Sequence, residues 1–254
     1  MTNILIVGVR GAMGAAVIAA CRTREEFNVV AGVDMVMGDF EGIPVYSSFD
    51  DCAKEADVVI DFSNPMALDS IISYCGAKKV PAVICTTGFS DEQQAKILKL
   101  SKTAPVFKSA NMSLGVNLIA NLVKSASRLL SDGFDIEIVE KHHRRKVDAP
   151  SGTAFMLANE INSVCDGRYH FVYDRESVRQ ARSDNELGIH SVRGGTIVGE
   201  HDVIFAGIDE TVTISHSALS RNVFASGALA AASFITEQPP GLYDMNHLIE
   251  QRLL

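Results

Sequence analysis

The chain has 254 residues, 47% of them hydrophobic and 21% charged, with a formal net charge of -8. That composition supports one large core or two modest ones, excludes disorder, and argues against a nucleic-acid partner. No apolar run approaches the roughly 20 residues that cross a bilayer, so no membrane partner is expected.

The N-terminus lacks a basic region ahead of a long apolar one, so it does not read as a signal peptide. The five cysteines, Cys21, Cys52, Cys75, Cys85 and Cys165, form no C-x-x-C pair, which predicts reduced thiols in a cytoplasmic protein and no metal centre. Residues 4–7, ILIV, are a continuous apolar run, as a parallel strand covered on both faces requires. GVRGAMG follows at once. Gly8, Gly11 and Gly14 set a glycine loop between strand and helix, and Val9, Arg10, Ala12 and Met13 complete its backbone. Ala15, Ala16, Ala19 and Ala20 continue it as a helix able to pack closely on a sheet. A second run, 29–33, ends at Asp34, about 20 residues beyond Gly14, where a dinucleotide-binding unit places the acid for its ribose hydroxyls.

The alternation of strand and helix continues. Residues 57–62 predict a buried strand, and 64–75 a helix capped by Asn64 with Pro65 at its first position. Residues 81–85 run into Thr86 and Thr87. Helix 91–101 and strand 106–108 then lead to Ser109, Ala110, Asn111 and Met112. In an open parallel sheet ligands collect at the carboxyl ends of strands, which puts Cys85, Thr86, Thr87 and residues 109–112 beside a cofactor. Thr86, Thr87 and Asn111 would serve equally as plain turn residues; their shared position favours function. The whole pattern predicts an α/β, doubly wound parallel sheet.

Helix 114–130 leads into a second grammar, with strands at 134–140, 188–193, 201–206 and 210–216 and few helices between them. Val212 and Ile214 alternate with Thr211, Thr213 and Ser215, which predicts an open mixed sheet covered on one side. Its polar face suits a symmetry mate. Residues 163–187 read only as polar and loop-rich. After Arg221, helix 222–235 and a short segment at 242–248 are expected to return to the first domain. The predicted domains are 1–113 with 222–254, binding dinucleotide, and 114–221, binding substrate and forming the oligomer.

Within 114–221 one stretch concentrates the chemistry. A strand from 134 runs into Lys141, His142, His143, Arg144, Arg145 and Lys146, and Ser151 to Thr153 then open a helix whose apolar face is Ala154, Leu157, Ala158 and Ile161. Six adjacent basic residues in an acidic chain, two of them histidines, lie beside unpaired helix N–H groups. This predicts a carboxylate-binding site with acid and base groups attached. Arg144 and Arg145 cannot give up a proton near neutrality and are read as surface or electrostatic groups.

With these residues in hand, the sequence resembles the 4-hydroxy-tetrahydrodipicolinate reductase family, also called dihydrodipicolinate reductase. EKHHRRKVDAPSGTA at 140–154 carries the likeness, with DFS at 61–63, TTGF at 86–89, GEHDVIFAG at 199–207 and GLYDM at 241–245. The resemblance implies a Rossmann-like nucleotide-binding domain plus an α+β substrate and tetramerisation domain. It also implies hydride transfer from a reduced nicotinamide to a cyclic dicarboxylate with loss of water, in lysine and diaminopimelate synthesis. On that basis His142 is a proton donor or acceptor, Lys146 a proton donor, His143 a substrate contact, and Ser151, Gly152 and Thr153 the holder of a substrate carboxylate. Many members carry a basic residue where this chain has Ala12, and some where it has Met35. Their absence beside Asp34 favours NADH over NADPH, with Arg10 left as a partial substitute. Another NAD(P)-dependent dehydrogenase of a small amino or carboxylic acid would share the glycine loop and the two-domain plan. A nucleotide-sensing regulator would use the second sheet only as a partner surface. Neither accounts for the HH, K and SGT constellation.

Overall fold

A computed structural model describes residues 1–176 and 178–253. Ser177, in the stretch expected to be loop-rich, and Leu254, at the end of the returning segment, lie outside the described residues. The chain divides into two units, Met1–Leu114 with the chain from Arg221 onward, and Gly115–Ser220.

The first half of the chain runs β1 (Thr2–Val7), α1 (Ala12–Cys21), β2 (Phe27–Val33), β3 (Gly38–Phe40), β4 (Ile43–Tyr46), β5 (Val58–Asp61), α2 (Leu68–Lys78), β6 (Ala82–Ile84), α3 (Asp91–Leu100), β7 (Pro105–Lys108) and α4 (Leu114–Leu130). Then come β8 (Asp135–His142), α5 (Gly152–Val164), β9 (His170–Val172), β10 (Glu186–Arg193), β11 (Gly199–Ala206) and β12 (Thr211–Ala218). The chain closes with α6 (Asn222–Ile235), β13 (Gly241–Tyr243) and α7 (Met245–Leu253).

In the first unit eight strands lie in the order β13-β7-β6-β5-β1-β2-β4-β3, and all neighbours pair in parallel except β3 and β4. Alternation across β1 decides which helices cover which face. Ile4 and Ile6 join α1 and α6 through Val17, Ile18, Ala228 and Leu229, while Leu5 and Val7 join α2 and α3 through Leu68, Ile71 and Ile97. Both faces are therefore dry, which is why these strands read as unbroken apolar runs. Strand order reverses between β1 and β5, and such a reversal opens a crevice at the carboxyl ends of the strands. The small residues of α6 have a steric cause: a Cβ on Gly227 would stand 1.6 Å from the Met112 carbonyl oxygen.

In the second unit five strands lie in the order β12-β11-β8-β10-β9, a mixed sheet in which β8 pairs in parallel with β10 and antiparallel with β11. Ile136, Ile138, Leu187, Ile189, Val203 and Phe205 face α5 and α4 through Leu157, Ile161, Ile119 and Val123. The other face carries charge: Lys141 Nζ lies 3.1 Å from both Glu200 and Asp202. The α/β architecture with an open mixed sheet is the one the sequence predicts.

Several boundaries differ from the expectation. The segment after Asn64 begins as a 3₁₀ turn, Pro65–Ala67, before α2, with the Asn64 side chain accepting from the Met66 N–H. Residues 163–187 are not all loop: β9 lies there, and β10 starts at Glu186. Strand β8 extends through His142, so the basic run does not act as one loop. Lys141 and His142 sit on opposite faces of a strand.

Candidate active site

The first unit holds a cleft at its glycine loop. Gly8 follows β1 in the left-handed region, φ +75°, where a Cβ would also stand 2.7 Å from the Phe62 carbonyl oxygen. Gly11 opens α1 without a side-chain cap, leaving the first-turn N–H groups to a ligand. A cleft of about 590 Å³ is lined by Gly8, Arg10, Gly11, Asp34, Met35 and Phe62, among others. Asp34 is fixed by backbone only: Oδ2 accepts from the Arg10 N–H at 3.0 Å and Oδ1 from the Met35 N–H at 2.8 Å. The Arg10 guanidinium is occupied elsewhere, donating to the carbonyls of Val36 (2.7 Å), Met37 (3.3 Å) and Asp39 (3.2 Å) and lying over the Phe40 ring.

A second cleft, about 200 Å³, gathers Thr86, Thr87, Gly88, Ser109 and Ala110 at the ends of β6 and β7. Asn111 folds back on this loop, its N–H donating to Ser109 Oγ at 3.2 Å and its Oδ1 accepting from Ser113 N–H. Cys85 is buried, and its N–H is consumed by the Asp61 carbonyl at 2.9 Å. Val9 and Met112 put their side chains in the core, so both offer a cofactor only backbone, while Ala12 and Met13 lie in the first turn of α1.

The second unit holds a polar cluster at the end of β8. Ile136, Ile138, Glu140 and His142 share one face, so the apolar stripe of the strand passes into a fully buried carboxylate. Arg193 of β10 forks onto it, at 2.8 Å to Oε2 and 2.6 Å to Oε1. The Ser151 N–H donates to Oε1 at 3.1 Å, and His142 Nδ1 lies 2.6 Å from Oε2. Burial pushes this carboxyl up, but the hydrogen bonds, led by those of Arg193, outweigh it and bring it down to about 2. Glu140 is an ion throughout the working range.

Ser151 caps α5, accepting the Ala154 N–H at 3.2 Å, and its hydroxyl also meets His201 Nε2 at 2.9 Å. His201 stands edge-on to His142, ring centroids 5.2 Å apart. Burial drives the His201 imidazole down to about 4, and the neighbouring His142 adds to the fall. His142 itself is lowered by burial and held back up in part by Glu140. Lys146 pairs with Asp148 at 2.8 Å and is mostly covered, whereas Arg144 and Arg145 are exposed. His143 is half-buried with Nδ1 unpartnered, and Gly152 is exposed at the helix start with Thr153 beside it.

The sequence reading singled out His142, His143, Lys146 and the helix start, and these lie along one segment from the end of β8 to the start of α5. It did not assign roles to Glu140, Arg193 or His201. Glu140 left a signal, a carboxylate continuing an apolar stripe; Arg193 left none, being 53 residues away. Among the described residues no group of three or more His, Cys, Asp or Glu is placed to hold a metal ion, and no helix is long and apolar enough to cross a membrane.

Comparison with known proteins accords with this arrangement. The family models for the N-terminus and C-terminus of dihydrodipicolinate reductase match residues 2–112 and 115–249. The chain is similar to the 4-hydroxy-tetrahydrodipicolinate reductase of Caldanaerobacter subterraneus subsp. tengcongensis, 51% identical with 99% of each chain covered. It is 47% identical to that of Clostridium tetani, with 98% of this chain and 97% of the relative covered. Among solved structures, a dipicolinate-bound dihydrodipicolinate reductase from Paenisporosarcina sp. TG-14 superposes with a TM-score of 0.82 at 26% identity, covering 97% of this chain and 99% of the other. A glycine-loop crevice in one unit, a histidine–lysine cluster in the other and full-length similarity to these enzymes have one common account: the chain belongs to the dihydrodipicolinate reductase family.

Proposed function

We propose that this chain reduces 4-hydroxy-tetrahydrodipicolinate to tetrahydrodipicolinate with NADH or NADPH and loss of water, in lysine and diaminopimelate synthesis. The observation that carries this reading is the cluster at the end of β8, where an oriented imidazole, a lysine and a helix start share one segment. A ring with two carboxylates needs cationic and N–H partners, and its reduction requires one proton for each hydride. His142 is the proton donor or acceptor and Lys146 a proton donor. His143 contacts substrate, and the helix start at Ser151, Gly152 and Thr153 holds one carboxylate, with Ser151 serving mainly as its cap.

The first unit fits a reduced nicotinamide dinucleotide, which supplies the hydride when bound. Gly8, Val9, Arg10, Gly11, Ala12 and Met13 hold the pyrophosphate by backbone, Asp34 takes the adenosine ribose, and Cys85, Thr86, Thr87 and residues 109–112 flank the nicotinamide end. NADH is preferred. The ionic Asp34 repels a 2′-phosphate, neither Ala12 nor Met35 can pair with one, and the Arg10 guanidinium already serves three carbonyls. The same reading takes the protein as a cytoplasmic homotetramer assembled through the charged face of the second sheet, a view supported by the exposed Thr211 and Thr213 edge. A monomer mass in sedimentation would reject that assembly.

The test follows loss of reduced-nicotinamide absorbance while a synthase makes the unstable substrate in situ from pyruvate and aspartate semialdehyde. His142→Gln and Lys146→Ala are expected to lower kcat by about 100- to 10,000-fold while nucleotide still binds. Parent-level turnover in both would sink the site assignment, and equal or better kcat/KM with NADPH would sink the cofactor preference.

A further inference from the structure

We propose that Glu140 is the positioning residue of this site, accepting the Nδ1–H of His142 so that Nε2 is the nitrogen presented for proton transfer, and accepting the Ser151 N–H so that the carboxylate-holding helix start stands in fixed register with it. The proposal rests on the assignment of His142 as a proton-transfer group.

The geometry leaves Glu140 little choice. Its carboxylate is wholly buried, gripped through both oxygens by Arg193, and acceptor-only, so the ring nitrogen 2.6 Å away must carry a proton. Neutral His142 is therefore the Nδ1–H tautomer. Nε2, on the far side of the ring, borders Gly199, where even a Cβ would stand 3.1 Å off; the glycine keeps that nitrogen clear. Charged and titratable groups facing the ring are Glu140 of its own strand, Arg193 of β10, His201 of β11 and Lys146 of the following loop. Glu140 is the anion among them, so it alone favours the imidazolium.

Glu140→Gln separates these roles without changing shape. The Ser151 N–H and one Arg193 nitrogen both donate to Oε1, so the amide oxygen is held there, and the amide nitrogen takes the place of Oε2, where it faces His142 Nδ1 and gives up the second Arg193 hydrogen bond. A donor now meets a donor, and the ring is pushed toward the Nε2–H tautomer. Histidine ¹⁵N shifts read this directly, with His142 assigned by the signals lost in His142→Gln. In the parent at mildly alkaline pH, Nδ1 is expected to be protonated and Nε2 not. In Glu140→Gln the tautomer inverts and kcat falls about 10- to 100-fold with nucleotide affinity unchanged. The loss of rate on the alkaline side also moves to lower pH, because the imidazolium has lost its anion. A parent carrying Nε2–H overturns the proposal even where the variant does not fold. A folded Glu140→Gln with parent kcat, tautomer and pH profile overturns it too. Full turnover in His142→Gln would instead overturn the functional reading on which it rests.

Discussion

Asp61 and Glu140 are both carboxylates at the carboxyl ends of central strands, and both are buried, at 1% and 0% exposure. Burial raises each, yet they end on opposite sides of their ordinary values. Glu140 has Arg193 across two short hydrogen bonds and falls to about 2. Among the described residues no cation shifts Asp61. Its Oδ1 accepts from the N–H and hydroxyl of Ser63, these only partly offset desolvation, and its carboxyl stays raised. Burial sets the cost of a charge, and the partner decides whether the charge survives.

The sharpest way to break the contrast is to remove the partner. Arg193→Met leaves an ion in a dry core and is expected to destabilise the second unit by about 3–5 kcal/mol in urea unfolding, with much of the loss recovered in Glu140→Gln/Arg193→Met. The sign follows from linkage. The folded Glu140 lies below its ordinary 4.5, so its contribution is present above that value and is lost as pH falls toward about 2. In Arg193→Met that pH dependence should be lost or reversed, because burial by itself raises the carboxyl; its persistence would mean that another group holds the carboxylate.

His201 applies the same rule to a base. Folded at about 4 against an ordinary 6.5, it is stable as a neutral ring and resists protonation that the unfolded chain accepts. Stability therefore falls between pH 6.5 and 4, by about 3 kcal/mol over the window if His201 acts alone. His201→Gln, which can still reach Ser151, should flatten this stretch of the stability profile; an unchanged slope would locate the titrating group elsewhere.

These contrasts also show what sequence could and could not carry. Residues 4–7, the glycine loop and 29–34 were legible because a strand dry on both faces is written as a continuous apolar run. Strands β3, β9 and β13 were not: each has three residues and lies at a sheet edge, where there is too little pattern to count. The basic run at 141–146 misled by adjacency. In a strand neighbours point to opposite faces, so Lys141 goes to Glu200 and Asp202 while His142 goes to Glu140. Alternation through Ile136, Ile138 and Glu140 would have placed both correctly. The Arg193 partnership was beyond reach, because only the register of β10 against β8 brings Arg193 opposite His142.

Asp61 offers the smallest expected effect and the cleanest sign. Thr86 lies near enough to influence the carboxyl, yet neither Asp61 Oδ2 nor Thr86 Oγ1 closes a hydrogen bond of ordinary length. An amide in place of the carboxylate removes the desolvated charge, keeps an oxygen for Ser63, and brings a donor to the threonine hydroxyl. A carboxyl raised in the fold costs stability once pH has risen above its ordinary value, because the unfolded chain ionises it more readily, so at neutral pH it is a net cost to the fold. Asp61→Asn should therefore be neutral or stabilising by up to about 1 kcal/mol at pH 7, and relatively less favourable near pH 4. Arg193→Met and Asp61→Asn each remove one charge near a buried strand end, but the first should unfold its unit at lower urea and the second should not. A loss above about 2 kcal/mol in Asp61→Asn would show that the ionised Asp61 has a partner worth as much to it as Arg193 is to Glu140.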